Sequence, residues 1–352
     1  MKSTICISED RPICEPALRL LLLSLDLHNP EKIISLFYPV ASDEFLQWVR
    51  RFSQVRVQTE RLRIGFEWDV KPQAMMLLLE QGFDEVIWID SDIIVTREIS
   101  TVFSDLRSDC IAATEDALGD DRNDENALRT RLWGLPVGRV LPFSLNSGVV
   151  RITKHHYRLL ERWWELLQTD DYRAVQKREW GQRPVHMKGD QDVLTALLCS
   201  SEFFDLPLFI LQRGKHILQF NGVYGYTIAE RTRNLFGDGP VFIHSFAGKP
   251  WLHQWKLGSL REYIKNVYLD VSPYTLEARS FKTQIGANSG WVEPHYRLSR
   301  VLRLLGLGRR ELSGLPVAAL MDMVRVAKGK RSAMRTGRAA IATLASEDRD
   351  QS

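Results

Sequence analysis

Two carboxylates one residue apart interrupt a long apolar stretch of the chain. Asp90 and Asp92 lie within residues 86–95, whose other members are apolar except for Ser91. A continuous apolar run without helical periodicity predicts a strand that is buried on both faces of a parallel sheet. Because unpaired buried acids are costly, we expect the carboxylates where the strand ends, in the crevice where open α/β sheets bind ligands. They would suit a hard divalent cation there, or be two solvated acids without a role.

The residues before Asp90 predict the elements that position these carboxylates. Short segments at 4–7, 33–38 and 54–57 are predicted to be strands, and they alternate with helical patterns that begin near Pro16, Ser42 and Lys71. This βαβα order predicts an α/β fold with a doubly wound, mostly parallel sheet and right-handed crossovers. Residues 117–142 and 170–189 show little periodicity and are predicted to be long irregular segments, which are often functional.

Composition places the chain among ordinary globular proteins. It has 352 residues, 44% hydrophobic and 26% charged, with a net charge of +3, which allows one large α/β domain or two smaller ones. The cysteines have no C-x-x-C spacing, which argues against a zinc site or a disulfide framework and favours a reducing compartment. They are Cys6, Cys14, Cys110 and Cys199. Without an evident signal peptide or spanning segment, a cytoplasmic protein is expected, either free or peripheral at the inner face of a membrane.

Four short motifs carry a family resemblance. In chain order they are Asp90-Ser91-Asp92, Leu145-Asn146-Ser147-Gly148-Val149, Gly189-Asp190-Gln191-Asp192 and His244-Ser245-Phe246-Ala247-Gly248-Lys249-Pro250-Trp251. Together they resemble the GT-A-fold glycosyltransferases of family 8, the group that includes glycogenin and the bacterial lipopolysaccharide galactosyl- and glucosyltransferases. The resemblance covers residues 1–258 and implies a GT-A-type catalytic domain there, with a mixed, mostly parallel sheet.

The resemblance implies a metal site and a diphosphate contact. It makes Asp90, Asp92 and His244 ligands of Mn²⁺ or Mg²⁺, which would neutralise a leaving diphosphate. It places Gly248 and Lys249 at the diphosphate, where the ammonium acts as a point charge. A lone histidine at a strand end is more often a core residue, but the adjoining Gly-Lys-Pro-Trp favours the ligand. The family usually has His-x-x-Gly-x-x-Lys-Pro-Trp, so the spacing here is one residue shorter.

The resemblance also implies a nucleotide-sugar site, with a UDP-sugar as the expected donor. Asp10 would accept a hydrogen bond from uracil N3–H, Lys71 would touch the donor, and Asp116 would bind its sugar. Asn146 and Gly148 match an Asn-x-Gly turn beside that sugar, where glycine permits close backbone approach and asparagine both donates and accepts.

Asp190 and Gln191 match the pair assigned to catalysis on the other face of the sugar. Asp190 would bind sugar hydroxyls and Gln191 would stabilise positive character at the anomeric carbon. The alternative is that Asp190 and Asp192 only cap a helix. The implied reaction moves a hexose from a nucleotide-sugar to a saccharide or lipid-linked acceptor with retention, as in polysaccharide or lipopolysaccharide biosynthesis. Acceptor contacts are expected in the irregular segments, where Trp133 and Trp180 either stack on a sugar or pack.

Two other functions fit part of the pattern. An apolar run followed by Asp-x-Asp also begins phosphatases of the haloacid dehalogenase type, whose first aspartate is a phosphorylated nucleophile. Those proteins usually have Thr or Val where Ile94 stands here, and their motif lies near the N-terminus, whereas βα units precede Asp90. A catalytically idle nucleotide-sugar-binding protein would retain the same motifs.

The C-terminal quarter is basic. Residues 259–340 are predicted to form a helical extension, and residues 341–352 a disordered tail. Between Tyr296 and Arg338, basic residues greatly outnumber the acids Glu311 and Asp322, and leucines alternate with them at helical spacing. A basic amphipathic helix indicates either contact with an anionic membrane surface or a solvated face docked on the catalytic domain.

Overall fold

The computed structural model describes residues 2–62, 67–116, 123–219, 226–246, 248–255, 258–286, 289–324 and 326–327. The strands are β1 Ser3–Ser8, β2 Ile33–Phe37, β3 Val55–Gln58, β4 Glu85–Ile89, β5 Ile93–Val95, β6 Ile111–Glu115, β7 Leu145–Thr153, β8 Leu208–Leu211, β9 Ile217–Gln219 and β10 Phe242–His244. The helices are α1 Glu15–His28, α2 Asp43–Val49, α3 Lys71–Glu80, α4 Ser100–Phe103, α5 Asn123–Leu132, α6 Tyr157–Leu167, α7 Asp170–Gln176, α8 Asp190–Leu198, α9 Ile228–Leu235, α10 Leu260–Asp270, α11 Pro273–Ala278, α12 Lys282–Ile285, α13 Arg297–Leu305 and α14 Arg310–Ser313.

The main sheet has seven strands in the order β3-β2-β1-β4-β7-β6-β8. β7 runs antiparallel to both β4 and β6, whereas the other neighbouring pairs are parallel. The predicted α/β fold with a mixed, mostly parallel sheet is therefore confirmed. A smaller sheet, β5-β10-β9, packs beside it, and only three residues separate β5 from the end of β4.

β4 is buried along its whole length, as its apolar run predicts. Its side chains alternate between two cores, since Ile87 and Ile89 join a cluster with α1 while Val86 and Trp88 join one with α3, α6 and α8. Because both faces of the strand are covered by helices, a polar side chain can only be accommodated where the strand ends. Asp90 is the first residue beyond that end.

Helix starts follow the sequence signals. Pro16 and Pro72 stand in the first turns of α1 and α3, where a missing N–H costs nothing. The side chains of Ser42 and Thr169 accept hydrogen bonds from the first turns of α2 and α7. The start of α3 is important for the site because it places Lys71 at the edge of the sheet where β4 ends.

Two predictions about irregular segments are wrong in part. Residues 117–142 contain α5, and residues 170–189 contain α7 followed by short 3₁₀ turns. Both helices are polar and short, so they lack the broad apolar stripe by which amphipathic helices are recognised. Instead, α5 docks through individual polar contacts, such as the hydrogen bond from the Thr130 hydroxyl to the Ala196 carbonyl on α8.

The described part of the C-terminal extension is helical, as predicted. α10 to α14 precede a further helical segment at 315–324, and residues from α10, α13 and that segment share a small core of their own. Within the described ranges, no helix is both long and apolar enough to cross a bilayer. The tail predicted to be disordered, 341–352, lies outside the described residues.

Candidate active site

Strand order determines where polar side chains gather. β2 lies on one side of β1 and β4 on the other, so the direction of winding reverses between β1 and β4. Such a switch point opens a crevice beyond the carboxyl ends of the strands. Cys6 pairs with Trp88 in parallel register, so β1 and β4 end at the same edge. β7 is antiparallel to β4 and therefore begins at this edge, with Asn146 and Gly148.

Asp90, Asp92 and His244 form a cluster suited to a cation. A ligand atom from each lies within 4.8 Å of the others. Asp90 and Asp92 lie in the turn between β4 and β5, and His244 ends β10, which pairs antiparallel with β5. The Ser245 N–H donates to the Asp92 carbonyl at 3.0 Å and so fixes the two elements together. His244 Nε2 is 3.3 Å from Asp92 Oδ1.

The protonation state of His244 suits metal binding. Burial lowers its pKa to about 4, so the ring is neutral near pH 7 and its lone pair is available. Its Nδ1 is buried and has no hydrogen-bond partner among the described residues. Two carboxylates and a neutral imidazole are a donor set for Mn²⁺ or another first-row divalent ion, so these residues fit the cation that the motifs imply.

Lys249 places a positive charge next to the cluster. Its ammonium group contacts Asp92 Oδ2 and donates to the Ser245 carbonyl at 2.7 Å. The hydroxyl of Ser245 donates to the Gly248 carbonyl, which ties the turn that carries the lysine. Burial lowers the pKa of Lys249 to about 8. The shorter His-to-Lys spacing therefore still brings the lysine to the carboxylates.

Lys71 links the two acidic motifs, because its ammonium group lies between Asp90 and Asp190. It is 3% exposed, and its Nζ lies 3.1 Å from Asp90 Oδ1 and 3.3 Å from Asp190 Oδ2. It also donates to the hydroxyl and carbonyl oxygens of Ser147 at 2.8 and 3.2 Å. Although burial alone would lower the pKa of Lys71, the two carboxylates raise it above its usual value. Burial raises the pKa of Asp190, whereas the positive charge of Lys71 acts to lower it.

A second chain of polar contacts crosses from β7 to β6 through α8. Asn146 Nδ2 donates to Gln191 Oε1 at 2.8 Å, and Gln191 Nε2 donates to Asp116 Oδ2 at 3.0 Å. These bonds fix the orientation of the Gln191 amide. The register between β6 and β7 shifts between Ala113 and Thr114, and such irregularities re-aim side chains next to functional sites.

Gly148 leaves the room that His244 occupies. A Cβ at this position would stand 2.9 Å from His244 Cε1 and 2.8 Å from Asn146 Oδ1, closer than side chains pack. The Gly148 carbonyl also accepts from the Asp90 N–H at 2.8 Å. The glycine is therefore required by the close approach of β7 to the metal cluster.

Asp10 lies at the cavity, but its neighbour Glu9 is the more deeply buried acid. Glu9 is 3% exposed and accepts from the Ser91 hydroxyl, the Arg11 guanidinium and the backbone N–H groups of residues 10 and 11. Asp10 is exposed, and partial burial together with Glu9 raises its pKa. Glu9, Ser147 and Trp88, whose Nε1 donates to Asp90 at 2.7 Å, were not predicted as site residues. The sequence signals for them are that Glu9 directly follows β1, that Ser147 lies inside a motif and that Trp88 stands two residues before Asp90.

Asp192 turns away from the cluster. Its Oδ1 accepts from Arg129 Nε at 2.9 Å and its Oδ2 from the Gly189 N–H at 3.1 Å. Burial raises its pKa to about 6. The capping interpretation therefore describes Asp192, whereas the carboxylate of Asp190 is directed to Lys71 and Ser147.

One cavity of about 490 Å³ brings these groups together. Its lining includes the predicted residues Asp10, Lys71, Asp90, Asp92, Asn146, Gln191, His244 and Lys249. The other predicted residues lie behind the lining. Each contacts a residue that forms it or the turn that carries Lys249; they are Asp116, Gly148, Asp190 and Gly248. Trp180 lines the cavity and is 50% exposed, whereas Trp133 packs against Tyr172 and His186.

Solved structures of glycosyltransferases align with most of the chain. An active-site mutant of LgtC aligns over 79% of this chain and 95% of its own, at 16% identity and a TM-score of 0.49. GlyE of Streptococcus pneumoniae aligns over 80% and 64%, at 18% identity and 0.44. Mouse xyloside xylosyltransferase 1 aligns over 70% and 98%, at 16% identity and 0.44. No protein-family profile and no curated protein sequence matches the chain.

Proposed function

We propose that the protein is a metal-dependent glycosyltransferase that moves a hexose from a nucleotide-sugar, a UDP-sugar by preference, to a saccharide or lipid-linked acceptor. The observation that carries this proposal is the meeting of Asp90, Asp92 and His244 with Lys249 in one cavity at the switch point of the sheet. Such a combination of hard-cation ligands and an ammonium group serves a diphosphate leaving group.

The metal ligands and Lys249 would act together on the leaving diphosphate. Asp90, Asp92 and His244 would hold Mn²⁺ or Mg²⁺, which when bound acts as a Lewis acid toward the phosphate oxygens. Lys249 already contacts a carboxylate of this cluster, so a short movement of its side chain would bring the ammonium to the diphosphate. Its partly buried position strengthens that electrostatic interaction, since the local dielectric is lower than in water.

The sugar would lie between β7 and the start of α8. Asn146 and Gln191 present amide groups to the cavity, and Asp116 fixes Gln191 from behind. Gly148 would let the backbone approach the sugar closely, and Asp190 would bind sugar hydroxyls after a small shift of its side chain. The Gln191 amide oxygen would stabilise positive charge that develops at the anomeric carbon.

The motifs imply transfer with retention, and within that outcome we favour front-side attack over a covalent intermediate. A covalent intermediate needs a free carboxylate as nucleophile, but Asp190 is tied to Lys71 at 3.3 Å and to the Ser147 hydroxyl at 2.6 Å. Gln191 is an amide and a poor nucleophile. Attack of the acceptor on the same face from which the diphosphate leaves requires neither group to form a bond with the sugar.

The nucleoside would occupy the side of the cavity formed by the residues after β1. Asp10 is the proposed acceptor for uracil N3–H, and the buried Glu9–Ser91 contact ties this segment to the metal-binding turn. Burial and the neighbouring Glu9 raise the pKa of Asp10, so its ionised form is less stable here than in water. A hydrogen bond from uracil N3–H would stabilise that ionised form when the base binds.

The test is a screen of nucleotide-sugars with MnCl₂, in which release of the nucleotide is measured for wild type and for Asp92→Ala. Asp238→Ala serves as the control, because Asp238 is 91% exposed and lies outside the lining of the cavity. We expect wild type and Asp238→Ala to release nucleotide equally and Asp92→Ala to be more than about 100-fold slower. Equal release by Asp92→Ala would refute the metal site, and hydrolysis of para-nitrophenyl phosphate would favour the phosphatase.

We also propose that α13 brings the protein to the inner face of an anionic membrane. Its outward side carries Leu304 and Leu305, both 75% exposed, with Val301 and Leu298 beside them. Arg297, Arg300, Arg303 and Arg309 are exposed on the same helix and the turn after it. Exposed leucines flanked by arginines are typical of helices that lie in the headgroup region of anionic lipid.

Sedimentation with vesicles tests this contact. We expect the protein to bind vesicles that contain phosphatidylglycerol and to remain free of phosphatidylcholine vesicles. The double variant Leu304→Ser with Leu305→Ser should lose binding, whereas Leu27→Ser, at an exposed leucine on α1, should not. Equal binding to both lipids, or by the double variant, would refute the proposal.

A further inference from the structure

Trp180 is an exposed aromatic side chain at the rim of the cavity. It starts a 3₁₀ turn, Trp180–Gln182, in the segment between α7 and α8. Half of its surface is exposed although it lines the cavity. Trp88 also lines the cavity, but it is 2% exposed and its Nε1 is bound to Asp90. Among the tryptophans of the described lining, Trp180 is thus the one whose ring is accessible to a second ligand.

Arg183 fixes the ring in place. The centre of its guanidinium group lies 5.6 Å from the centroid of the Trp180 ring, a cation–π contact. The guanidinium donates to the Arg178, Gln176 and Lys188 carbonyls and to the Gln176 amide oxygen, at 2.6–3.0 Å. These four bonds tie the turn to the end of α7 and to the residue two positions before α8. A preorganised aromatic surface binds a ligand with little loss of conformational entropy.

The segment that carries Trp180 leads directly into the proposed sugar site. Gln176 Nε2 donates to the Met187 carbonyl at 2.7 Å, and Trp133 Nε1 donates to the His186 carbonyl at 2.9 Å. Three residues after Met187, α8 begins with Asp190 and Gln191. The ring is therefore anchored to the same unit as the residues proposed for the donor sugar, and belongs to a different segment from Asp10 and Glu9 after β1.

We propose that Trp180 is the stacking platform for the acceptor saccharide. This inference rests on the proposed glycosyltransferase function. The charged and amide groups of the cavity suit the diphosphate and the hydroxyls of the donor, whereas the indole face suits the apolar C–H face of a pyranose ring. An amphipathic aromatic ring that is apolar on its face supplies contact area and orientation for such a ligand. The acceptor class is a saccharide that ends in a hexopyranose with an open C–H face.

The test measures saccharide binding and nucleotide binding separately. The fluorescently labelled full-length chain, with MnCl₂ and UDP, is applied to an array of hexose-terminated glycans, and UDP binding is measured by calorimetry. We expect wild type to bind hexopyranose-terminated glycans and Trp180→Ala to bind them about tenfold more weakly, with UDP binding unchanged. Trp180→Phe should recover most of the affinity because it restores an aromatic face.

Phe204→Ala is the matched control, since Phe204 is 49% exposed but lies outside the cavity lining. It should bind glycans as wild type does. Glycan binding by Trp180→Ala at wild-type strength would overturn the inference, as would loss of UDP binding in that variant, which would place the ring under the nucleobase. Donor turnover by a wild-type protein that binds no glycan on the array would also overturn it. Failure to turn over any donor would refute the proposed function instead.

Discussion

Among the described residues, two Asp-x-Asp pairs are used differently by the fold. Asp90 and Asp92 both line the cavity, where their carboxylates meet His244, Lys71 and Lys249. Asp190 and Asp192 stand in the first turn of α8, and their carboxylates diverge. Asp190 approaches Lys71, whereas Asp192 binds Arg129 on α5.

Backbone conformation explains the difference. Helical residues two positions apart point about 200° away from each other, because one residue advances the helix by about 100°. The first pair instead stands in a turn between two strands of different sheets, so both carboxylates can face one side. The spacing of acids therefore predicts a shared site only together with the backbone on which the acids stand.

The comparison predicts that stability depends mainly on the second pair. Asp192→Ala should lower the free energy of unfolding by about 3–5 kcal/mol, because Arg129 is buried and loses this partner. In urea unfolding with EDTA, Asp92→Ala should lower the free energy of unfolding by much less than Asp192→Ala does. Below its own midpoint of thermal unfolding, Asp192→Ala should still release nucleotide from the donor within about tenfold of wild type. If the variants had the reverse effects, the two pairs would have been assigned to the wrong roles.

Sequence reasoning predicted the site better at strand ends than at helix starts. Asp90 and His244 stand at or beside the ends of apolar runs, and Asn146 stands beside the start of one. They meet at one edge because β7 runs antiparallel to β4 and because His244 pairs with Ile93 at the start of β5. Asp192 matched the motif equally well, but its direction depends on Arg129, which lies on a polar helix that the apolar pattern does not reveal. Sequence reasoning selects Asp10 rather than Glu9 from the acids after β1, since only the turn determines which of two adjacent acids is buried.

Lys71 joins one member of each pair, so its removal tests whether they form one electrostatic unit. Lys71→Met should lower the free energy of unfolding at pH 7 by about 3 kcal/mol, because two carboxylates lose a buried cation. The deficit should shrink as the pH falls toward 5. Burial already raises the pKa of Asp190, and loss of Lys71 raises it further, so the folded variant binds more protons than the unfolded chain and loses stability as the pH rises.

The control for this experiment is Lys154→Met, at an exposed lysine that pairs with Asp84. An exposed pair contributes little, so this variant should unfold nearly as wild type does at both pH values. A deficit of Lys71→Met that is the same at pH 5 and pH 7 would show that the lysine acts through packing rather than charge.

The smallest expected effect concerns the first pair alone and comes from Gly148→Ala. The added methyl group would meet His244 Cε1 at 2.9 Å and Asn146 Oδ1 at 2.8 Å, so one of them must shift, at a cost of about 1–3 kcal/mol in unfolding free energy. Gly290→Ala is the matched control, because a Cβ there meets nothing within 4 Å.

The residue that yields to the methyl group decides what Gly148→Ala does to metal binding. If the His244 ring shifts, one ligand leaves its place, and Mn²⁺ affinity measured by calorimetry should fall about 10- to 100-fold. If Asn146 shifts instead, the affinity should remain, while the hydrogen bond from Asn146 Nδ2 to Gln191 Oε1 is lost. We expect the first result, because the Asn146 amide is held at both atoms, by Gln191 Oε1 and by the Gly148 N–H, whereas His244 Nδ1 has no hydrogen-bond partner among the described residues. Unchanged affinity together with lowered stability would mean that the first pair does not depend on β7 for its geometry.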